Sequence, residues 1–382
     1  MRLTPAYSVR LVEQLLDEFG EHAPVVFDPF SGTGTTALCA AYRGNTGVAT
    51  DINPFLIWLA NAKARVYDEA AIASCVRAAQ LAVRLAQDPQ GPVADCPPIS
   101  NIERWWPPSA LEFLLRLKGA IDAHATGDAT LLKVAFCRTV MTLSNAAFNH
   151  QSMSFREPPA ATAIDAPGVF PAQFLRDVAH VVAAAADNPG GSAQYLLSDS
   201  RAGLVKWRNR IDLLITSPPY PNRMSYIREL RPYMYWLGFL STGRQAGELD
   251  WEAIGGTWGV ATSRLAEWTP RDNFVPSGMV STLARIRAAH GKNGPLLANY
   301  VHRYFEDMFA HLGAMVPLLK GGASVHYIVG NSIFYGQLVS AEQYLAQQMA
   351  AVGLTKVRII ALRKRNSKRG LVEFHVTGVR QN

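Results

Sequence analysis

Two short stretches of this sequence combine residue types at spacings that suit group chemistry. The first is Asp28-Pro29-Phe30-Ser31-Gly32-Thr33-Gly34-Thr35-Thr36, which follows the short β-branched run "APVVFD" (23–28) and precedes small helix-forming residues that stop at Gly44. Two glycines at a strand-to-helix turn let backbone amides approach a ligand closely at the N-terminus of a helix. Asp51 closes the next strand, "TGVATD" (46–51), where it is positioned to accept hydrogen bonds from ribose hydroxyls. An acid at the close of the first strand, Asp28, would repel a pyrophosphate and favours a ligand that carries a cation. The second stretch, Ser217-Pro218-Pro219-Tyr220, ends the apolar run "RIDLLITS" (210–217). Two prolines remove backbone donors and hold the chain extended, which leaves carbonyl acceptors facing the space above a sheet. Tyr220 beside that edge can stack on a flat heteroaromatic ring. The Ser217 hydroxyl and the Pro218 carbonyl can accept protons from an exocyclic amino group.

Several other chemistries compete for the same residues. Gly32-x-Gly34-x-x-Ala37 also satisfies the dinucleotide fingerprint, so an NAD-dependent oxidoreductase is a rival, although it leaves Ser217–Tyr220 unexplained. The loop lacks the G-x-x-x-x-G-K-[ST] pattern of a nucleoside triphosphate site. The four cysteines, Cys39, Cys75, Cys96 and Cys137, stand far apart without a C-x-x-C pair or a histidine at ligand spacing. Neither a metal site nor a disulfide framework is expected, and reduced, mostly buried thiols are the reading.

The elements that must position these residues read as an α/β chain. Strand, glycine loop, helix, second strand and the helical "PFLIWLANAKARVY" (54–67) complete a β-α-β unit of the doubly wound kind. Further strands are predicted at 193–199, 210–217, 322–330 and 355–364, the last pairing with 371–379 across the basic turn "RNSKRG" as an antiparallel edge hairpin. A simple crossover does not need the residues between the second and third strands, so an insertion is predicted there, helical by pattern at 68–88, 108–124 and 129–147. A second interruption, 241–295, is rich in Trp, Gly and Arg and resists assignment. The division that follows is 1–66, ligand-binding part of the core; 67–190, largely helical insertion and candidate recognition region; 191–240, catalytic part; 241–295, second insertion and candidate partner contact; and 296–382, C-terminal part of the core.

Taken together, the two stretches resemble the amino-methyltransferases of DNA, which use S-adenosylmethionine to methylate cytosine N4 or adenine N6. The loop "DPFSGTGTT" (28–36) matches that family's cofactor loop, and "SPPY" (217–220) matches its catalytic strand end. The segment "LTPAYSVRLVEQLL" (3–16) and the closing hairpin extend the similarity to about half the chain. The resemblance implies a Rossmann-like methyltransferase fold with a mostly parallel seven-stranded sheet. It implies S-adenosylmethionine as cofactor, bound by Asp28, Pro29, Phe30, Ser31, Gly32, Gly34, Thr35, Thr36, Asp51 and Asp199, with Asp28 near the methionine end, Asp51 at the ribose and Asp199 at the adenine amino group. It assigns catalysis to Ser217, Pro218, Pro219 and Tyr220. The serine form of the segment leans toward cytosine N4, which is the preferred target, with adenine N6 as the alternative. Methylation at cytosine carbon 5 needs a thiolate nucleophile, usually in a Pro-Cys pair, and no cysteine here follows a proline.

The implied partner is DNA, in which a duplex base must be flipped to reach such a site. Candidate phosphate contacts are Arg223, Arg228, Arg363, Lys364, Arg365, Lys368 and Arg369. "FNHQSMSFRE" (148–157) and "GGTWGVATSR" (255–264) mix aromatic, amide and basic groups in the manner of base readers. A formal net charge of +7 and a pI near 9.3 fit a phosphate-rich partner. An RNA methyltransferase with the same site, and a DNA-binding protein on a catalytically silent fold, stay open as alternatives, as does an accompanying restriction or defence partner. No uninterrupted apolar stretch reaches the roughly 18 residues of a membrane span, and the amphipathic start does not read as a signal peptide. A soluble, cytoplasmic protein is expected.

Overall fold

The computed structural model describes residues 8–20, 24–124, 128–147, 154–155, 168–222, 225–257, 260–271, 273–289, 293–365 and 370–382. Chain contacts divide it into two compact units. The larger comprises Pro5–Asn61, Pro189–Arg228 and Arg244–Asn382, and the smaller comprises Ala62–Asn188 and Glu229–Gly243.

The larger unit is built on a seven-stranded sheet. Its strands are β1 (Val25–Asp28), β2 (Thr46–Asp51), β3 (Ser192–Leu197), β4 (Ile211–Thr216), β5 (Leu319–Gly330), β6 (Leu354–Lys364) and β7 (Val372–Arg380), in the spatial order β6-β7-β5-β4-β1-β2-β3. Neighbours from β3 through β5 run parallel, while β7 is antiparallel to both β5 and β6. The mostly parallel sheet with an antiparallel edge hairpin read from the sequence is therefore present. Side chains alternate between faces with period two. Val26, Leu213 and Ile215 pack with Val12, Leu15 and Leu16, which share one face of the helix Val9–Phe19. Phe27, Ile211 and Leu214 join the other core, with Tyr304, Phe305, Met308 and Leu312 of the helix Gly294–Met315. Burial on both faces is why β1, β2 and β4 read as nearly continuous apolar runs. At Gly47 a side chain would collide with the backbone of Ala37, so glycine lets the helix Thr35–Tyr42 lie directly on β2.

The described residues of the span 241–295 include the short helices Gly243–Glu252, Val260–Glu267 and Met279–Ala289. Glycines with positive φ at Gly255 and Gly278 interrupt it, and the segments are too short for a long helical period to show in the sequence.

The smaller unit holds the helices Glu69–Gln87, Pro108–His124, Thr130–Thr142 and Val169–Ala185. The third is shorter than the pattern over 129–147 suggests. The Asn145 N–H donates to the Trp105 carbonyl at 2.8 Å, and Ala146 then pairs with Phe155 in a two-residue ladder. Its core centres on Trp106, whose indole N–H donates to the Val140 carbonyl at 2.7 Å, with Trp236 packed edge-on against both Trp106 and Phe136. Buried Asp177 accepts from Arg138, Thr139 and Gln173, tying the third helix to the fourth. Among the described residues no helix is long and apolar enough to cross a membrane.

Candidate active site

The strand order reverses direction between β1 and β4. In open α/β sheets the crevice at the carboxyl ends of the strands flanking such a reversal is where ligands bind. Both chemistry-bearing stretches leave the sheet at that edge, from neighbouring parallel strands. A direct bond ties them: the Thr216 hydroxyl donates to the Asp28 carboxylate at 2.6 Å.

Asp28 is 1% exposed, and its carboxylate also accepts from the Thr36 hydroxyl at 2.7 Å and the Phe30 N–H at 3.0 Å. It thus clamps the end of β1, the first turn of the following helix and the end of β4. Gly32 and Gly34 adopt φ of +50° and +85°, a region that disfavours side chains. A Cβ on Gly34 would lie 2.8 Å from both the Ala60 methyl and the Tyr195 ring, whose hydroxyl donates to the Gly34 carbonyl at 2.8 Å. The Gly32 N–H donates to the Asp51 carboxylate at 2.9 Å, and the Asn53 N–H donates to its other oxygen at 2.8 Å. Burial raises the Asp51 carboxyl to about 6; these amides oppose the shift, and the nearby Asp28 charge adds to it. Phe30 lies against the ring of His311, 4.7 Å between centroids, and burial holds that imidazole neutral with a pKa lowered to about 3.

On the other side, the Tyr304 hydroxyl donates to the Pro219 carbonyl at 2.8 Å, which fixes the extended double proline. The Tyr220 hydroxyl donates to Glu373 at 2.9 Å, and the Ser217 hydroxyl stands 3.5 Å from that phenol. Burial, with Glu373 alongside, pushes the phenol well above its ordinary range, so Tyr220 is neutral and keeps its proton as a donor. The guanidinium of Arg365 sits over the Tyr220 ring, 4.9 Å from its centre.

Asp199 follows β3 and is held by Arg201 in a forked ion pair at 2.7–3.1 Å, which, despite burial, leaves its carboxyl below the usual range. Arg228 donates its backbone N–H to the Ser225 hydroxyl, and its buried side-chain Nε has no hydrogen-bond partner among the described residues. Arg363 is paired with Glu373 at 2.7 Å, Lys364 is exposed, and Arg365 is turned onto Tyr220. Arg223, Lys368 and Arg369 lie outside the described residues, as do most of 148–157, the start of 3–16, and 258–259 within 255–264. Sequence reasoning missed Glu373, Tyr304 and Tyr195. Of these only Glu373 left a signal, as a carboxylate inside the apolar strand "LVEFHV" (371–376).

The donor set fits S-adenosylmethionine. Two glycines open the backbone of the loop, the Asp51 carboxylate stands beside it at the end of β2, and Ser31 presents a buried hydroxyl with no partner among the described residues. Among the described residues no cluster of His, Cys, Asp or Glu suits a metal ion. Fold and site together define a Rossmann-like methyltransferase architecture. Comparison with known proteins agrees. A family model for D12 class N6 adenine-specific DNA methyltransferases matches residues 9–86. The type II methyltransferase M.MvaI of Kocuria varians is 23% identical over 276 residues, which cover 65% of this chain and 60% of that relative. The family model is of DNA methyltransferases and the relative is a type II methyltransferase; the chain spans about 60% of that relative's length. They do not support the preference for cytosine N4: the matching family is adenine N6-specific.

Proposed function

We propose that this chain transfers a methyl group from S-adenosylmethionine to the N6 amino group of adenine in DNA. The carrying observation is the adjacency of the glycine loop and Ser217–Tyr220 at the carboxyl ends of β1 and β4, joined through the Asp28–Thr216 bond. The cofactor supplies an electrophilic methyl on a sulfonium. The protein needs only to align that methyl with a nitrogen lone pair and keep the lone pair out of conjugation with the base. In this reading the Ser217 hydroxyl and the Pro218 carbonyl accept from the amino group and favour a tetrahedral nitrogen, so their hydrogen bonds strengthen as the new bond forms. Tyr220 stacks on the base. Asp51 holds the ribose, and Asp199 reaches the cofactor's adenine amino group only by sharing acceptors now spent on Arg201. The target base is flipped from its duplex or single-stranded. Exposed Lys364 is a candidate phosphate contact. A restriction-modification or related defence pair is the setting that the relative's name, type II methyltransferase, suggests, and a cytoplasmic enzyme would suit it.

A second reading, cytosine N4, is favoured by Ser217 in place of an Asp or Asn at the head of the segment. It is sharpened by position: the family match ends at residue 86, in the cofactor half of the chain, so the segment facing the base lies outside it. One experiment separates the readings. Incubation with labelled S-adenosylmethionine and unmethylated DNA, digestion to nucleosides and mass spectrometry should yield N6-methyldeoxyadenosine. N4-methyldeoxycytidine would replace the adenine reading, and label in RNA alone would defeat the DNA substrate.

A further inference from the structure

We propose that Glu373 and Arg365, at the C-terminal hairpin, are positioning residues that set the orientation of the Tyr220 ring against which the target base stacks. The inference rests on the amino-methyltransferase reading above and assigns that reading a part of the fold it did not use.

The Tyr220 ring can turn about two side-chain torsions, so a stacking platform needs restraint at its far end and on its face. Glu373 restrains the far end, accepting the phenol proton at 2.9 Å while its other oxygen accepts from Arg363 at 2.7 Å. Arg365 restrains one face. Its backbone N–H donates to the Leu371 carbonyl at 2.8 Å and its guanidinium donates to the Asn331 carbonyl at 3.1 Å, which leaves the cation 4.9 Å from the ring centre. Asn331 fastens the hairpin to the end of β5, donating to the Gly370 carbonyl at 3.0 Å and accepting from the Val372 N–H at 2.8 Å. Gly330, paired in register with Glu373, makes room: a Cβ there would collide with the Arg365 guanidinium and lie 3.0 Å from Tyr220 Cδ2.

Stability alone does not account for this arrangement. Glu373 is 7% exposed within an apolar strand, and removing a carboxylate from water costs free energy that a single phenol and a solvent-facing arginine only partly offset. What the arrangement does achieve is a fixed ring. With one face of Tyr220 under a cation, a base must take the opposite face, which also fixes where its amino group stands relative to Ser217.

The test is single-turnover transfer from tritiated S-adenosylmethionine to DNA from a methylation-deficient host, with cofactor affinity by calorimetry and melting temperature measured alongside. Tyr220→Phe and Glu373→Ala should each slow transfer about tenfold with cofactor affinity unchanged, and the double variant should be no slower than the slower single, because both remove one bond. Glu373→Gln, whose amide oxygen still accepts the phenol proton, should stay within about threefold of wild type. A wild-type rate in Glu373→Ala, multiplying losses in the double variant, or no rescue by Gln would overturn the proposal. Should Glu373→Ala fail to fold, Tyr220→Phe decides alone, since it leaves Glu373 in place, and a wild-type rate there is refuting. An active wild type with indifferent variants defeats this inference only. A wild-type chain that binds cofactor but labels no DNA defeats the parent reading as well.

Discussion

If Asp51 holds the cofactor ribose, as proposed, S-adenosylmethionine binding acquires a pH dependence of definite sign. The Asp51 carboxyl is raised from the ordinary value of 3.8 to about 6, with burial the main cause. In the unfolded chain it titrates near 3.9, so between about pH 4 and 6 the native state holds a proton that the unfolded state has released. Native stability therefore falls as pH rises through that window and levels off above it. At about 1.4 kcal/mol per pH unit the gap corresponds to at most about 3 kcal/mol, and partial exposure of the group trims this to about 1–3 kcal/mol. The same ionisation is what a ribose needs, because hydroxyl donors bind the carboxylate and not the acid. Titration of S-adenosylmethionine by calorimetry should give a dissociation constant that is flat above about pH 7 and weakens about tenfold for each pH unit below 6. His311, beside Phe30, is held neutral with a pKa of about 3 and stays silent over this range. Asp51→Asn should bind cofactor about 10–100-fold more weakly at pH 8, without that pH dependence. A wild-type constant that is flat from pH 5 to 8, or the same slope in Asp51→Asn, would refute the assignment of this carboxylate to the ribose.

Three further outcomes are expected. Ser217→Ala and Tyr220→Ala should lower turnover about 100-fold while leaving S-adenosylmethionine affinity within about threefold; equal loss of both quantities would make the segment structural. Gly34→Ala should lose about 1–2 kcal/mol from its left-handed backbone alone, more from the contacts with Ala60 and Tyr195, and most of its cofactor binding, read by thermal melting and calorimetry together. Asp28→Ala strands two hydroxyls and an amide and should cost about 2–5 kcal/mol in chemical denaturation; Asp28→Asn, which keeps an acceptor for the Phe30 N–H or Thr216, should cost less than half of that.

What the sequence made legible follows from where the backbone itself is constrained. Val25–Asp28 and Thr46–Asp51 are buried on both faces and announce themselves as apolar runs, and the glycines and prolines after them mark turns that few other residues can make. The span 241–295 lacked such regularity, since its helices are short and broken by Gly255 and Gly278. Side-chain partners were legible only when they lay close in sequence. Thr216 meets Asp28 across 188 positions, and Glu373 meets Tyr220 across 153, so nothing local marks either pairing before the sheet order is known. A threonine at a strand end or a glutamate in a strand is unremarkable in itself; the parallel neighbour or the antiparallel hairpin gives it work. The same distinction governs the target atom. In the proposed reading a cofactor common to many methyl transfers imposes the loop of residues 28–36, and the family match, residues 9–86, includes that part of the chain. Under the proposed function, the choice between adenine and cytosine would rest on the shape and acceptors around Ser217, where Tyr220 meets residues from the far end of the chain. If the proposed role of the hairpin holds, substitutions at Glu373 and Arg365 should change the chosen base more than substitutions in the glycine loop, which the nucleoside analysis of methylated DNA from each variant would read directly.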